Sequence, residues 1–158
     1  MDITIRKLRD TDYPFLKKLY RTTREKELKL TNWNEEQKKS FVEFQFNAQH
    51  SHYSTTYNDM DFKIILRHKN PIGRLYLWET ENQIRIVDII LLPEFTGKGI
   101  GTRILNTLIK QSEQSGKKLN LHVEYYNPAL RLYQRLGFKK TDNKGGYFYM
   151  ERMPGKKE

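Results

Sequence analysis

Apolar residues along this chain change their spacing several times, and each change marks an element. Ile3, Ile5 and Leu8 read as a first strand, and Asp10-Thr11-Asp12 offers an N-cap to a helix carrying Phe15, Leu16, Leu19 and Tyr20. Phe41, Val42, Phe44, Phe46 and Ala48 give a second helix, from about Asn34 to Gln49, a broad apolar face. The polar, aromatic stretch from His50 to Asp61 reads as a loop. Three strands follow: Phe62–Leu66, Ile72–Trp78 and Ile84–Leu92, with turns at His68-Lys69-Asn70-Pro71 and Glu81-Asn82-Gln83. The third is the longest and most apolar, which predicts a central strand covered on both faces, and Pro93 ends it. Ile100, Ile104, Leu105, Leu108 and Ile109 form one helical stripe, closed by Gly116. Leu119, Leu121 and Val123 alternate with Asn120, His122 and Glu124 as a fifth strand. Ala129, Leu132, Tyr133 and Leu136 then return to helical spacing before Gly137. Phe138-Lys139-Lys140 and Tyr147–Met150, joined across Asn143–Gly146, form a closing hairpin. This order predicts a mixed α/β sheet with helices on both faces.

Length and charge narrow the partners more than the architecture. The 158 residues fit a single domain, expected over 1–153, with Pro154–Glu158 as a frayed tail. The balance of 29 basic and 19 acidic residues leaves +10, which favours anionic partners: a polyphosphate coenzyme or a nucleic acid. The basic residues are dispersed and no nucleic-acid motif appears, so nucleic acid is the weaker choice. With no cysteine, a disulfide framework, a thiolate nucleophile and cysteine metal ligands are excluded, and no metal site is implied. The opening Met1-Asp2-Ile3-Thr4-Ile5 goes straight into alternation without the apolar centre of a secretory signal, and no run approaches a membrane span. A cytoplasmic protein is the expectation.

Thr96-Gly97-Lys98-Gly99-Ile100-Gly101 carries the first chemistry. A strand, a short glycine turn and a helix start bring free backbone N–H groups and the positive helix end to one point, which suits a pyrophosphate. The spacing departs from the P-loop, which requires a Lys-Ser/Thr pair, and from the dinucleotide fingerprint. A plain helix start explains a lone glycine loop equally well. The second segment, Asn127-Pro128-Ala129-Leu130-Arg131-Leu132-Tyr133-Gln134-Arg135-Leu136-Gly137-Phe138, carries a tyrosine on an amphipathic helix.

Together the two segments resemble the GNAT superfamily of N-acetyltransferases. Its coenzyme loop has the form Gln/Arg-x-x-Gly-x-Gly/Ala, matched here by Gly99 and Gly101, with Thr96 departing at the first position. Its later motif, Asn-x-x-Ala-x-x-Leu-Tyr-x-x-x-Gly-Phe, is matched through Tyr133 and Phe138. Asn127 stands six residues before Tyr133 rather than seven: either the loop is one residue shorter or Tyr126 takes the asparagine's place. The resemblance implies a mostly antiparallel sheet of six to seven strands, splayed between strands 4 and 5. It implies acetyl-coenzyme A as cosubstrate, direct attack by a primary amine, and coenzyme contacts from Ile89, Ile90, Leu91, Thr96, Gly97, Lys98, Gly99, Ile100, Gly101, Thr102, Asn127 and Tyr133. Backbone N–H groups around Ile89–Leu91 would polarise the thioester carbonyl.

Tyr133 is then the candidate to protonate the departing thiolate, against the alternative of a packed core tyrosine. His122, five residues before Asn127, is the candidate base; some family members hold a glutamate there, and a structural histidine is the equal alternative. Asp88, inside an apolar strand, reads first as an anchor for a loop or an arginine, while Glu124, Glu79 and Glu25 read as solvated. His50 and His52 fall in the expected loop. The acceptor stays open between a small molecule and a peptide, and a second copy of the chain is a candidate partner. Two further readings stand beside the enzyme: a basic nucleic-acid-binding protein, and a coenzyme-binding regulator that has lost turnover.

Overall fold

The computed structural model describes residues 2–155. Seven strands, β1 (Ile3–Lys7), β2 (Asp61–Arg67), β3 (Asn70–Glu79), β4 (Gln83–Leu91), β5 (Lys118–Glu124), β6 (Lys139–Lys144) and β7 (Tyr147–Arg152), hydrogen-bond in the order β1-β2-β3-β4-β5-β7-β6. Five helices interrupt them: α1 (Tyr13–Thr22), α2 (Glu25–Lys29), α3 (Glu35–Thr56), α4 (Ile100–Ser115) and α5 (Leu130–Arg135). The sheet is mixed and mostly antiparallel, as the pattern predicted. β4 and β5 form the parallel pair, which requires a crossover, and α4 supplies it. The chain divides into two compact units, residues 1–75 with 90–96 and residues 76–89 with 97–158; β3 and β4 contribute to both.

In the first unit Leu16, Tyr20, Leu28, Val42 and Phe46 from three helices close over Ile64 and Leu66, which share one face of β2. Burying each such side chain stabilises by about 1.5–3 kcal/mol. Arg6 grips Asp12 through two bonds of 2.8 and 2.9 Å, and Asp12 also accepts the Arg9 N–H at 2.7 Å. Asp12 stands at the N-cap of α1 as expected, but its carboxylate makes no cap bond because Arg6 and Arg9 occupy it. The Arg6 hydrogen bond holds that carboxyl below the ordinary carboxylate value, although burial opposes the shift.

Three expectations are corrected here. The stretch predicted as a loop from His50 continues α3 to Thr56. That end of α3 lacks buried apolar residues, since the helix buries only Val42 and Phe46, so no periodicity announced it. His50 is instead half-buried, 5.9 Å from Phe46 and 4.9 Å from Phe62 between ring centroids, with Tyr13 Oη 3.2 Å from its Nε2. The short helix α2 had no sequence signal. The strand covered on both faces is β3, whose Ile72–Leu77 are all buried, whereas Val87–Leu91 of β4 are half-buried. The first hairpin turn also sits earlier than expected: His68 and Lys69 take φ of 47° and 69°, and Asn70 and Pro71 already belong to β3.

In the second unit α4 packs on β5. Its stripe of Ile100, Ile104, Leu105, Leu108 and Ile109 is buried, as are Leu119, Leu121 and Val123. α4 ends at Gly116 with φ of 73°, and Gly145-Gly146, both left-handed, turn β6 into β7. Of the predicted tail, Lys156–Glu158 lie outside the described residues. Among those described, no helix is long and apolar enough to cross a membrane.

Candidate active site

The second unit gathers most of the sequence-predicted residues. Gly97, Lys98 and Gly99 form the exposed loop before α4, and Ile100, Gly101 and Thr102 are the helix's first turn. Gly99 is the N-cap residue with φ of 83°, a left-handed conformation that costs a side-chain-bearing residue about 1–2 kcal/mol. The Arg103 N–H reaches back to the Gly99 carbonyl at 3.0 Å and closes the first turn. A Cβ added at Gly97, Gly99 or Gly101 would meet nothing within 4 Å. These glycines therefore leave open space over a helix N-terminus, the shape and polarity a pyrophosphate requires.

The parallel ladder pairs Gln83–Ile86 of β4 with Lys118–Leu121 of β5. At the end of β5 the chain turns a corner built by Asn127. Its Nδ2 donates to Glu124 Oε2 at 3.0 Å, and its Oδ1 accepts the Ala129 N–H at 2.8 Å. Both ends of the Asn127 amide thus serve the corner that launches α5. Glu124 is half-buried and held by this bond, not solvated as expected. Glu79 and Glu25 keep solvent-exposed side chains, as expected, in surface ion pairs with Lys117 at 2.6 Å and Arg21 at 3.2 Å.

α5 buries Tyr133 to 7% exposure, with its ring 5.7 Å from Phe138 in an edge arrangement. Burial, then the negative charges of Asp88 and Glu124, push its phenol up to about 12. Tyr133, Asp88 and Glu124 are therefore electrostatic neighbours, which the sequence did not reveal. His122 points from the opposite face of β5 to Leu121 and Val123 and is exposed. Its ring lies 5.1 Å from that of Tyr149, its partner on β7. Burial by neighbours and then the charge of Arg85 hold its imidazole below the ordinary histidine value, so it is neutral at neutral pH.

Ile89 closes the second unit's share of β4, while Ile90, Leu91 and Thr96 fall in the first unit. A Cβ at Gly73 would run into the Ile90 carbonyl oxygen and lie 2.8 Å from Leu91 Cδ2. Gly73 thus fixes how closely β3 approaches this predicted segment, which sequence reasoning missed, although a glycine inside a strand signals close backbone approach. Thr96 Oγ1 bonds the Pro93 carbonyl at 2.7 Å, ending the short turn after β4. A groove on α1 and α3, lined by Lys17, Lys18, Arg21 and Lys39 among others, contains none of the predicted residues. Among the described residues no group of three potential metal ligands occurs.

Residues 13–138 match the acetyltransferase (GNAT) family. The chain belongs to that family. The GNAT assignment agrees with the solved fold of PaiA N-acetyltransferase from Thermoplasma acidophilum in complex with coenzyme A. That structure superposes with a TM-score of 0.72 at 26% identity, covering 97% of this chain and 99% of the other. A Haemophilus influenzae relative, [ribosomal protein bS18]-alanine N-acetyltransferase, is 27% identical over 114 residues, 72% of this chain and 76% of its own. The mouse Cysteine-rich protein 2-binding protein is 34% identical over 85 residues, 52% of this chain but 11% of that protein. The GNAT chain here thus spans about a tenth of that relative's length.

Proposed function

We propose that this chain is an N-acetyltransferase that transfers an acetyl group from acetyl-coenzyme A to an amine by direct attack. The observation that carries this reading is the glycine-lined N-terminus of α4, clear of any side chain that would fill it. Backbone N–H groups of Gly99, Ile100, Gly101 and Thr102 would hold the pyrophosphate, and Lys98 would add its charge. The bound coenzyme supplies an activated thioester. Backbone N–H groups of Ile89–Leu91 would polarise the acyl carbonyl.

His122 takes the proton of the attacking amine. Its imidazole is neutral at neutral pH, the form a base requires. Tyr133 serves the departing sulfur. With a phenol at about 12 against a thiol near 8.5, full proton transfer runs uphill by about 5 kcal/mol. Tyr133 therefore stabilises the thiolate by donating a hydrogen bond, and the same burial keeps the phenol protonated throughout the neutral range. Peptide N-termini and small amines are both acceptor classes for this machinery; the Haemophilus relative's name specifies a ribosomal-protein alanine.

Titrating the protein with coenzyme A and following thermal unfolding tests the first half. Saturation at a hundredfold excess over Kd stabilises by about 2.7 kcal/mol. Release of free thiol with a panel of amines tests the second. Absence of any stabilisation at millimolar coenzyme A would remove the proposal, and stabilisation without thiol release would leave a coenzyme-binding regulator.

A further inference from the structure

The face of the sheet that carries His122 also carries a prepared cation that the proposed chemistry does not use. Arg85 pairs with Asn120 across the β4–β5 ladder, and Asn120 pairs with Glu151 on β7. His122 is two residues beyond Asn120, so both stand on the same face. The Arg85 guanidinium carbon lies 5.8 Å from the Trp78 ring centroid and 5.7 Å from that of Tyr149. Its Nε donates to Asn120 Oδ1 at 2.9 Å. The Asn120 amide is itself oriented by its Nδ2 donating to Gln83 Oε1 at 2.6 Å, and Asn120 is fully buried.

One guanidinium donor is thus committed while the Nη1 and Nη2 fork makes no ion pair among the described residues. The acidic side chains of this face are engaged elsewhere: Glu151 with Lys118 at 3.0 Å, and Glu124 with Asn127. A fork restrained before any ligand arrives loses little side-chain freedom on binding, and its geometry matches a carboxylate through two parallel bonds. The Tyr149 ring neighbours both groups, its centroid 5.7 Å from the Arg85 guanidinium carbon and 5.1 Å from that of the His122 ring. Two residues along a strand span about 7 Å. The amine and carboxyl carbon of an α-amino acid are only about 2.5 Å apart, two bonds, which is too short to reach both groups.

We propose that Arg85, framed by Trp78 and Tyr149, binds a carboxylate of the acceptor, so that the acceptors are amines carrying a carboxylate several bonds from the reacting nitrogen. This rests on the reading of His122 as the group that receives the amine's proton. Charged hydrogen bonds of this kind contribute about 1.5–3 kcal/mol, or roughly ten- to a hundredfold in affinity.

Two readouts test it on the full chain. The first is turnover with acetyl-coenzyme A, comparing 4-aminobutyrate with butylamine, 6-aminohexanoate with hexylamine, and an acidic tripeptide with its amide-blocked neutral counterpart. KM for the carboxylated member of a pair should be lower by about tenfold or more. Arg85→Gln should bring that ratio to near one, and Arg85→Lys, which keeps the charge without the fork, to an intermediate value. The ratio is insensitive to general damage, which affects both members of a pair. The peptide pair shows whether the carboxylate comes from a peptide or from a small molecule. The second readout is the NMR signal of the Arg85 Nε–H during titration with hexanoate and, separately, hexylamine. A shift with hexanoate alone supports the site even if no amine is acetylated, an outcome that would overturn the proposed function instead. Equal KM values within each pair, a ratio unchanged by Arg85→Gln, or no shift with hexanoate would overturn the inference.

Discussion

Replacing Gly73 with alanine tests how the backbone of β4 is held where the proposed function needs it. A Cβ there would sit 2.8 Å from Leu91 Cδ2, 3.2 Å from Leu91 Cα and closer still to the Ile90 carbonyl oxygen. Leu91 Cδ2 can rotate away, but the carbonyl oxygen and Cα are backbone and move only with the strand. Overpacking of this kind costs about 1–3 kcal/mol. Alanine recovers about 0.5–1 kcal/mol by restricting the unfolded chain. Because two of the contacts are with backbone, the upper part of the overpacking range, about 2–3 kcal/mol, applies; the net loss is then about 1–2.5 kcal/mol, and at this chain length Tm should fall by roughly 2–10 °C. Scanning calorimetry measures that fall, and hydrogen exchange at Leu92, whose N–H bonds the Ile72 carbonyl at 2.8 Å, reports whether the strand itself has shifted. Turnover should drop by more than the lost folded fraction explains, because the Ile90–Leu91 amides move with the strand. A Tm within a degree of the parent, with unchanged exchange at Leu92, would refute the close approach.

Three other outcomes follow from the same geometry. Tyr133→Phe should lower turnover by roughly ten- to a thousandfold while the coenzyme A dissociation constant, measured by calorimetry, stays near the parent value; near-parental turnover would take the phenol out of the reaction. A base must be neutral, so kcat/KM should rise with pH through the His122 pKa, and because that value is held below 6.5 the acidic limb should lie below pH 6.5. Arg85→Gln should move the limb upward and His122→Ala should remove it; a limb that ignores both would assign the titration elsewhere. Asn127→Ala removes both bonds that build the β5–α5 corner and should cost about 1–3 kcal/mol in denaturant unfolding; an unchanged midpoint would show that the corner stands without them.

The elements that were legible in the sequence are those whose signal is local. The stripe on α4, the alternation of β5 and the glycines at 99, 116 and 137 each specify a conformation without help from elsewhere in the chain. The last two turns of α3 were not legible, because His50–Thr56 has neither apolar periodicity nor strong helix formers; its Ser54 and Thr55 hydroxyls instead bond carbonyls one turn back. Strong hydrophobicity in β4 suggests central burial, but composition alone does not distinguish a fully covered strand from a half-buried one. Among the candidate site residues, motif spacing singled out Tyr133 and the glycine loop. The arrangement of Arg85 with Asn120, and the approach of Gly73 to Ile90, depend on cross-strand register, which no local pattern encodes.

α4 couples two properties that are separable in many proteins. The same sixteen residues supply a buried stripe to the second unit and an N-terminus to the glycine loop. A helix forms and frays cooperatively, so weakening the stripe at Ile104 or Leu108 also disorders the loop's donors. Ligand affinity at that end and resistance to opening along the whole helix are then linked quantities. Sequence drift that loosens the core would be registered as a weaker coenzyme, while coenzyme at cellular concentration would mask the loosening. Selection on the loop therefore acts on the stripe, and amides far from the glycines, at Lys110 or Gln111, should exchange more slowly when the loop is filled.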